Sequence, residues 1–151
     1  EDGRIIGVTE ELDATGILAS SQDLDDYYLS EETVIGHVHL SVRDALAASK
    51  RYQKIFDLDD KLTIPSASWI ASGNYHHHLA FNHWAGPKLL KREKNRPGLN
   101  YFSIVVQNSI LFKASLKKAI LHSMPILEQS DTYYFMEDED GLRIKVILEN
   151  D

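Results

Sequence analysis

Alternating and helical hydrophobic patterns divide most of the chain into two similar parts. Residues 34–42 alternate as a strand does, and residues 45–56 carry the apolar stripe of a helix, with Asp44 as its predicted N-cap. Short extended runs follow at residues 62–64, 67–72 and 76–84, separated by Pro65 and by the turn pair Gly73-Asn74. The pattern predicts the order strand, helix and three strands.

The same order recurs further along the chain. Residues 100–106 predict a strand, and residues 109–122 predict a helix with Ile110, Leu116 and Ile120 on one side. Residues 125–129, 132–137 and 142–149 predict three more strands. We interpret this recurrence as an internal repeat, with modules at about residues 34–84 and 99–149. Superposing the first strands places His37 on Tyr101, and superposing the last strands places His78 on Lys145.

The first 33 residues differ from the repeat in composition. They carry ten acidic residues against a single base, Arg4. We predict an acidic connector over residues 1–33, made of a strand-like start at residues 4–9 and a short helix at residues 12–20. Residues 34–151 form the remaining domain, because 151 residues with 43% hydrophobic positions suit one ordinary compact core.

Charge and composition exclude several classes of function. The net charge of −7 repels phosphate backbones, so no nucleic-acid partner is expected. One basic run, at residues 88–96, interrupts the acidic background. It can be interpreted either as a solvated loop or as a loop that faces the substrate. The absence of cysteine fits a reducing compartment, and no apolar run is long enough to span a bilayer. We therefore expect a cytoplasmic protein without a membrane partner.

Histidines are the strongest chemical signal in the sequence. Six of the seven fall between residues 37 and 83, at positions 37, 39, 76, 77, 78 and 83. Side chains of a strand alternate between its faces, so His37 and His39 share one face, and His76 and His78 share one face opposite His77. Neutral imidazole is the commonest protein ligand of transition metals. The pattern favours a metal or catalytic site, although each histidine alone is compatible with a solvated strand position.

Three segments carry a resemblance to a known superfamily. They are VIGHVHLSVRD at residues 34–44, SWIASGNYHHHLAFNHWAG at residues 68–86 and PGLNYFSIVV at residues 97–106. With the repeated strand-helix-three-strand order, they resemble the vicinal oxygen chelate superfamily of glyoxalases, bleomycin-resistance proteins and extradiol dioxygenases. Within it they resemble the C-terminal half of bacterial catechol 2,3-dioxygenase-like proteins. The resemblance implies an α+β fold of two βαβββ modules, forming a curved mixed sheet with helices on its outer face.

The resemblance also implies a metal site and a ring-cleaving activity. It places His37 and His78 as metal ligands, with His39 and His76 as catalytic residues or residues that support the ligands. Tyr101 and Lys145 stand where two further ligands belong in the superfamily, and Tyr101 becomes a candidate for the substrate pocket. The implied cofactor is Fe(II) or Mn(II), with Ni or Zn as alternatives, and no other cofactor is indicated. The substrate is a small aromatic or carbonyl compound.

Because two ligands are lacking, we expect a site that is only half built within these residues. A missing N-terminal half, joined through the acidic connector, or a second subunit would complete it, and a homodimer is expected. Two other functions stay open. One is a bleomycin-resistance-like module that binds a small molecule without catalysis, and the other is a glyoxalase-like isomerase that uses Ni or Zn.

Overall fold

A computed structural model describes residues 10–21, 29–86, 88–93 and 95–149. The chain divides into two units, Glu1–Gly36 and His37–Asp151. In the first unit, helix α1 spans Ala14–Ser20 and begins where the side chain of Asp13 accepts a hydrogen bond from the amide of Gly16. Every described residue of this unit is exposed. The strand predicted at residues 4–9 lies outside the described residues.

The second unit consists of two βαβββ modules. The first contains β1 (Val38–Ser41), α2 (Ala45–Phe56), β2 (Asp59–Ile64), β3 (Ala67–Ala71) and β4 (Leu79–Asn82). The second contains β5 (Phe102–Val106), α3 (Ser109–Leu121), β6 (Ile126–Gln129), β7 (Tyr133–Glu137) and β8 (Arg143–Leu148). The predicted repeat and the α+β class are confirmed.

Each module forms its own four-stranded mixed sheet. The strand orders are β1-β4-β3-β2 and β5-β8-β7-β6, so the two sheets have the same topology. In each sheet the first strand pairs parallel with the last, and the remaining pairs are antiparallel. A helix crossover between the first and second strands makes the parallel pairing possible. The predicted mixed sheet is present as two four-stranded sheets of the same topology, one in each module.

One hydrophobic core joins the two modules. Helix α2 begins where the carboxylate of Asp44 accepts hydrogen bonds from two backbone amides, and it buries one stripe of side chains. The stripe consists of Ala45, Ala48, Ser49, Tyr52 and Ile55. Helix α2 packs on β3 and β4, helix α3 packs on β5 and β8, and the two helices contact each other. The helices thus cover one face of each sheet; we call the opposite face the open face.

A buried polar contact ties the modules together. The hydroxyl of Tyr52 donates to a carboxylate oxygen of Asp138 at 3.0 Å, and both side chains are buried. Burial is the main cause that raises the pKa of Tyr52 well above its ordinary value, so the hydroxyl keeps its proton. Nearby, Arg43 donates from its Nε atom to Asp140 at 2.7 Å. These contacts fix the turn between β7 and β8 against the start of α2.

Two sequence predictions about the elements are wrong in detail. The buried stripe of α3 is Phe112, Ser115 and Ala119. Of the three residues predicted on one side, Leu116 is partly buried and packs against the core, while Ile110 and Ile120 are 79% and 59% exposed. Nearly every turn of this helix offers an apolar residue, so its sequence does not single out one face. The second error concerns the alignment of the last strands, described with the site below. Within the described ranges, no helix is long and apolar enough to cross a membrane.

Candidate metal centre

Three histidines converge at the open face of the first sheet. His37, His39 and His77 each offer one ring nitrogen, and these three nitrogens all lie within 4.8 Å of one another. We call these three residues the histidine cluster. The Nε2 atoms of His39 and His77 are 2.9 Å apart, and the ring centroids of His37 and His77 are 4.3 Å apart. The cluster is the group of potential metal ligands that the described residues bring together.

Strand β1 positions two members of the cluster. His39 lies within β1, and its neighbour Leu40 points into the core at 3% exposure. His37 lies two residues earlier, immediately before the strand, where alternation returns the side chain to the same face. Because β1 is the edge strand of its sheet, these imidazoles stand at a border that solvent or another chain segment can reach.

His77 joins the cluster because the backbone before β4 is not a regular strand. Strand β4 begins only at Leu79, after a turn in which Gly73 adopts a φ of 61°. The alternation assumed for residues 76–84 therefore does not apply to His77, and its ring lies with those of His37 and His39. Regular strand alternation predicts His77 on the opposite face, and that prediction is wrong.

His78 lies in a different environment from the cluster. Its Nδ1 atom accepts a hydrogen bond from the amide of Ser72 at 3.2 Å, and its ring centroid is 4.7 Å from that of Tyr75. The backbone of His78 still pairs with both neighbours, since its carbonyl accepts from Val38 and its amide donates to Ile70. Its assignment as a metal ligand stays a prediction.

His76 lies beside the cluster. Its ring centroid is 4.5 Å from that of His77 and 5.5 Å from that of His37. An imidazole at this distance is suited to exchange a proton with a bound molecule or to support a ligand. His39, which the sequence analysis gave the same role, stands inside the cluster itself.

Lowered pKa values favour the neutral imidazole forms of His39 and His77. The pKa of His77 is lowered to about 4, chiefly because burial disfavours the charged ring and secondarily because four other histidines surround it. Burial and His37 also lower the pKa of His39. A metal binds the unprotonated nitrogen, so a lowered pKa leaves the ligand form available at neutral pH.

These residues fit a divalent transition metal. Two nitrogens that each lie about 2.0–2.1 Å from one ion are about 2.9 Å apart when they subtend a right angle at it. The 2.9 Å between the Nε2 atoms of His39 and His77 matches this spacing. The same two atoms form a hydrogen bond, so one ring must carry its proton on Nδ1 instead before both Nε2 atoms can bind an ion. Imidazole donors suit Fe, Ni, Cu and Zn. The group contains no carboxylate among the described residues, so the cluster alone does not make the facial triad of two histidines and one carboxylate.

The second sheet presents different chemistry on its open face. The rings of Tyr101 and Phe135 meet edge to face with centroids 5.2 Å apart. The Nζ atom of Lys145 lies 4.8 Å from the ring centroid of Tyr133 and 5.5 Å from that of Phe135. Tyr101, predicted as a pocket residue, therefore belongs to an aromatic surface with a cation rather than to the histidine cluster.

The observed strand register also corrects the alignment of the two modules. Val38 pairs with Leu79 in the first sheet, and the equivalent Phe102 pairs with Ile144 in the second. His78 therefore corresponds to Arg143, whereas the sequence analysis matched it with Lys145. The predicted alignment of His78 with Lys145 is displaced by two residues, so it keeps the correct face of the strand. Hydrophobic alternation repeats every two residues and therefore could not exclude this displacement. A guanidinium is no better a metal ligand than an ammonium.

Comparison with known proteins supports this reading of the fold. The catechol-2,3-dioxygenase of Bacillus subtilis (strain 168) is 33% identical over 107 residues, which are 70% of this chain and 38% of that protein. The chain thus spans well under half the length of this curated relative. No protein-family profile matches the sequence.

Solved structures share the fold at low sequence identity. A glyoxalase/dioxygenase from Nostoc punctiforme superposes with a TM-score of 0.63 at 14% identity, covering 83% of this chain and 99% of that one. A glyoxylase/bleomycin resistance protein/dioxygenase domain from Frankia sp. EAN1pec gives 0.59 at 16% identity, covering 78% and 98%. Sequence and fold agree: the solved neighbours are glyoxalase, bleomycin-resistance and dioxygenase proteins and the curated relative is a catechol-2,3-dioxygenase, which is consistent with the vicinal oxygen chelate superfamily. The resemblance stated from the sequence is confirmed.

Proposed function

We propose that the chain supplies part of a ring-cleaving, extradiol dioxygenase-like metalloenzyme, with its metal ion held at the histidine cluster. The observation that carries the proposal is the convergence of His37, His39 and His77, whose ring nitrogens lie within 4.8 Å of one another. The identity to a catechol-2,3-dioxygenase supports the reaction class. Fe(II) is the proposed ion because it accepts imidazole donors and also suits ring cleavage by dioxygen.

The chain's own residues would have three tasks in such a site. The cluster would hold the ion through neutral imidazoles, and the ion, when bound, would supply Lewis-acid and redox chemistry at open coordination positions. His76 would hold or move a proton at a ring nitrogen beside the substrate. Tyr75, whose ring stacks near His76 and His78, is placed to contact an aromatic substrate.

The carboxylate ligand would come from outside these residues. The second module offers Tyr101 and Arg143 at the positions equivalent to His37 and His78, and neither is a favourable ligand for Fe(II). We propose that another part of the full-length protein, or a second subunit, supplies the carboxylate. The length of the relative is compatible with this, because the matched residues are only 38% of that protein.

Metal binding and oxygen consumption test this function. The 151-residue chain, and the longest natural protein that contains it, are loaded anaerobically with Fe(II), and metal content and oxygen uptake with catechol are measured. We expect one equivalent of iron and catechol-dependent oxygen uptake in the longer protein, both lost in His37→Ala. His122→Ala, which removes a histidine of the second module, is the matched control and should retain both.

Each other outcome has a definite meaning. Iron binding without oxygen uptake, combined with activity on a carbonyl substrate when Ni or Zn replaces iron, would assign a glyoxalase-like isomerase. Absence of metal from both proteins would contradict the metalloenzyme and leave a small-molecule-binding module. If His78→Ala loses the metal as completely as His37→Ala does, while His77→Ala retains it, the ligands would be His37 and His78, as the superfamily resemblance implies.

A further inference from the structure

A small polar pocket lies between the basic run and the start of β8. Its volume is about 250 Å³. Six residues line it, namely Lys91, Arg92, Asn100, Glu137, Gly141 and Arg143. The amide of Arg92 donates a hydrogen bond to the carbonyl oxygen of Asp140 at 2.9 Å, and this bond holds the basic run against the turn between β7 and β8. The basic run is therefore docked against the β7–β8 turn at Arg92 and is not wholly a solvated loop.

The close approach of these two segments requires a glycine. Gly141 is buried and has a φ of 78°, a conformation that residues with a side chain rarely adopt. A Cβ atom there would lie 3.2 Å from the carbonyl oxygen of Arg92 and 3.3 Å from Cε of Lys91. A specific backbone contact thus brings together the two segments that line the pocket.

Positive charge exceeds negative charge in the pocket. The carboxylate of Glu137 is 14% exposed and lies 3.3 Å from Nζ of Lys91 and 3.6 Å from Nε of Arg143. These two cations share one carboxylate, so one positive charge is left over. The guanidinium of Arg92 adds a second, because no carboxylate lies within ion-pair distance of it in the part of the chain that the structure describes.

The donor set suits an oxyanion. Arginine offers N–H groups in a planar fork that matches carboxylate and phosphate oxygens, lysine adds a compact charge, and the amide of Asn100 can donate a further hydrogen bond. A volume of about 250 Å³ is below the range of about 300–1,000 Å³ that is usual for drug-sized ligands. The pocket therefore accommodates one charged group and not a large molecule.

This pocket is separate from the histidine cluster. His37 immediately precedes β1, Arg43 lies two residues beyond its end, and no residue of the histidine cluster lines the pocket. The side chain of Arg43 binds Asp140, next to the pocket, whereas His37 belongs to the cluster. We propose that the pocket binds the oxyanion group of a small molecule, either a phosphate or a carboxylate, independently of the metal site.

Titration of the metal-free protein with inorganic phosphate and with malonate tests the proposal. Amide NMR signals are followed at constant ionic strength, with Gly141 and Asn100 as reporters. We expect saturable shifts with at least one of the two anions. Arg143→Gln should weaken that binding at least about tenfold, since it removes a charge-assisted hydrogen bond. Glu137→Gln should strengthen it, because the carboxylate that competes for the cations is gone. Lys91→Gln, at a side chain 53% exposed, is a second weakening variant that preserves the fold.

Two controls separate a site from a general charge effect. Lys113→Gln removes an exposed cation on α3, and Asp131→Asn removes an exposed carboxylate beside β7; both should leave the affinity unchanged. Saturation by phosphate alone identifies a phosphate site, and saturation by malonate alone identifies a carboxylate site. Absence of saturation with both anions, or equal effects of the pocket and control variants, would overturn the proposal. The assay contains no metal, so its result is independent of the proposed enzyme function.

Discussion

The open faces of the two sheets are built on equivalent strands and carry opposite chemistry. Where the first module has His37 and His39, the second has Tyr101 and Ser103, and where the first has Ala80, the second has Lys145. One face therefore presents a cluster of imidazole rings, while the other presents a cation packed against aromatic rings. The comparison shows that a single βαβββ scaffold can carry clustered imidazoles or aromatic rings with a cation at a few open-face positions, while the core positions remain apolar.

The largest expected effect is a difference in metal affinity between variants of the two open faces. His37→Ala should weaken the binding of a divalent transition metal by more than about 100-fold, because even residues that only support a ligand are worth about 10- to 100-fold. Tyr101→Ala, at the equivalent position of the second module, should leave metal affinity unchanged. Affinity is measured by competition with a chromophoric chelator. Equal losses in the two variants would show that the faces do not differ in the way described.

The next effect concerns the contact that joins the modules. Tyr52→Phe should lower the free energy of unfolding by about 1–3 kcal/mol, because it leaves a buried carboxylate oxygen of Asp138 without its donor. Tyr134→Phe removes a hydroxyl that donates to Ser115 within the second module, at 3.0 Å. A hydrogen bond between neutral groups contributes about 0.5–1.5 kcal/mol, so this loss should be smaller. Urea unfolding of both variants makes the comparison, and a larger loss in Tyr134→Phe would contradict it.

The same carboxyl group predicts a dependence on pH. Burial is the main cause that raises the pKa of Asp138, although hydrogen bonds from Leu142 and Tyr52 oppose it. Because the folded pKa exceeds the unfolded value, protonation of Asp138 favours folding. That contribution is complete below about pH 4, the ordinary value for aspartate, and is lost as the pH rises through the raised folded pKa.

Asp138→Asn isolates this titration from those of the other carboxylates. The amide oxygen of asparagine can still accept from the backbone amides of Asp140 and Leu142, and its NH₂ group can donate to the hydroxyl oxygen of Tyr52. The stability of the variant relative to the natural protein should therefore increase from acid to neutral pH. Unfolding in urea at a series of pH values measures it, and a constant or decreasing difference would contradict the raised pKa.

The smallest effect tests the cation on the second open face. Lys145→Met should lower the free energy of unfolding by about 0.5–1 kcal/mol, the usual contribution of a cation over an aromatic ring at a partly exposed site. Lys113→Met, on the exposed side of α3, should have no measurable effect. If both variants unfold at the same urea concentration as the natural protein, the contact between Lys145 and the rings adds nothing to the stability of the second sheet.

Most of the fold follows from local patterns in the sequence. Helix α2 lies within the predicted limits because Asp44 caps its first turn and its apolar residues recur at helical spacing. The strands follow from alternation and from turn residues between them. Helix α3 was predicted at the correct place but with the wrong buried face, because only tertiary packing decides between its several apolar sides.

The histidine site was predicted less completely than the fold. The density of histidines near β1 and β4 correctly indicated where potential ligands would gather, and His37 and His39 share the open face as alternation requires. His77 was missed because the run of three histidines was treated as a regular strand. The Gly73-Asn74 turn close before it was the available signal that the backbone there departs from strand geometry.

The central claim is that the first open face, and not the second, holds a metal ion. The most direct measurement is anomalous X-ray diffraction from crystals of the protein loaded with Co(II), a close substitute for Fe(II) and Zn(II) in nitrogen coordination. We expect one anomalous peak bonded to ring nitrogens of His37, His39 and His77. A peak bonded to His78 without His39 and His77, or the absence of a peak from the first open face, would contradict the account.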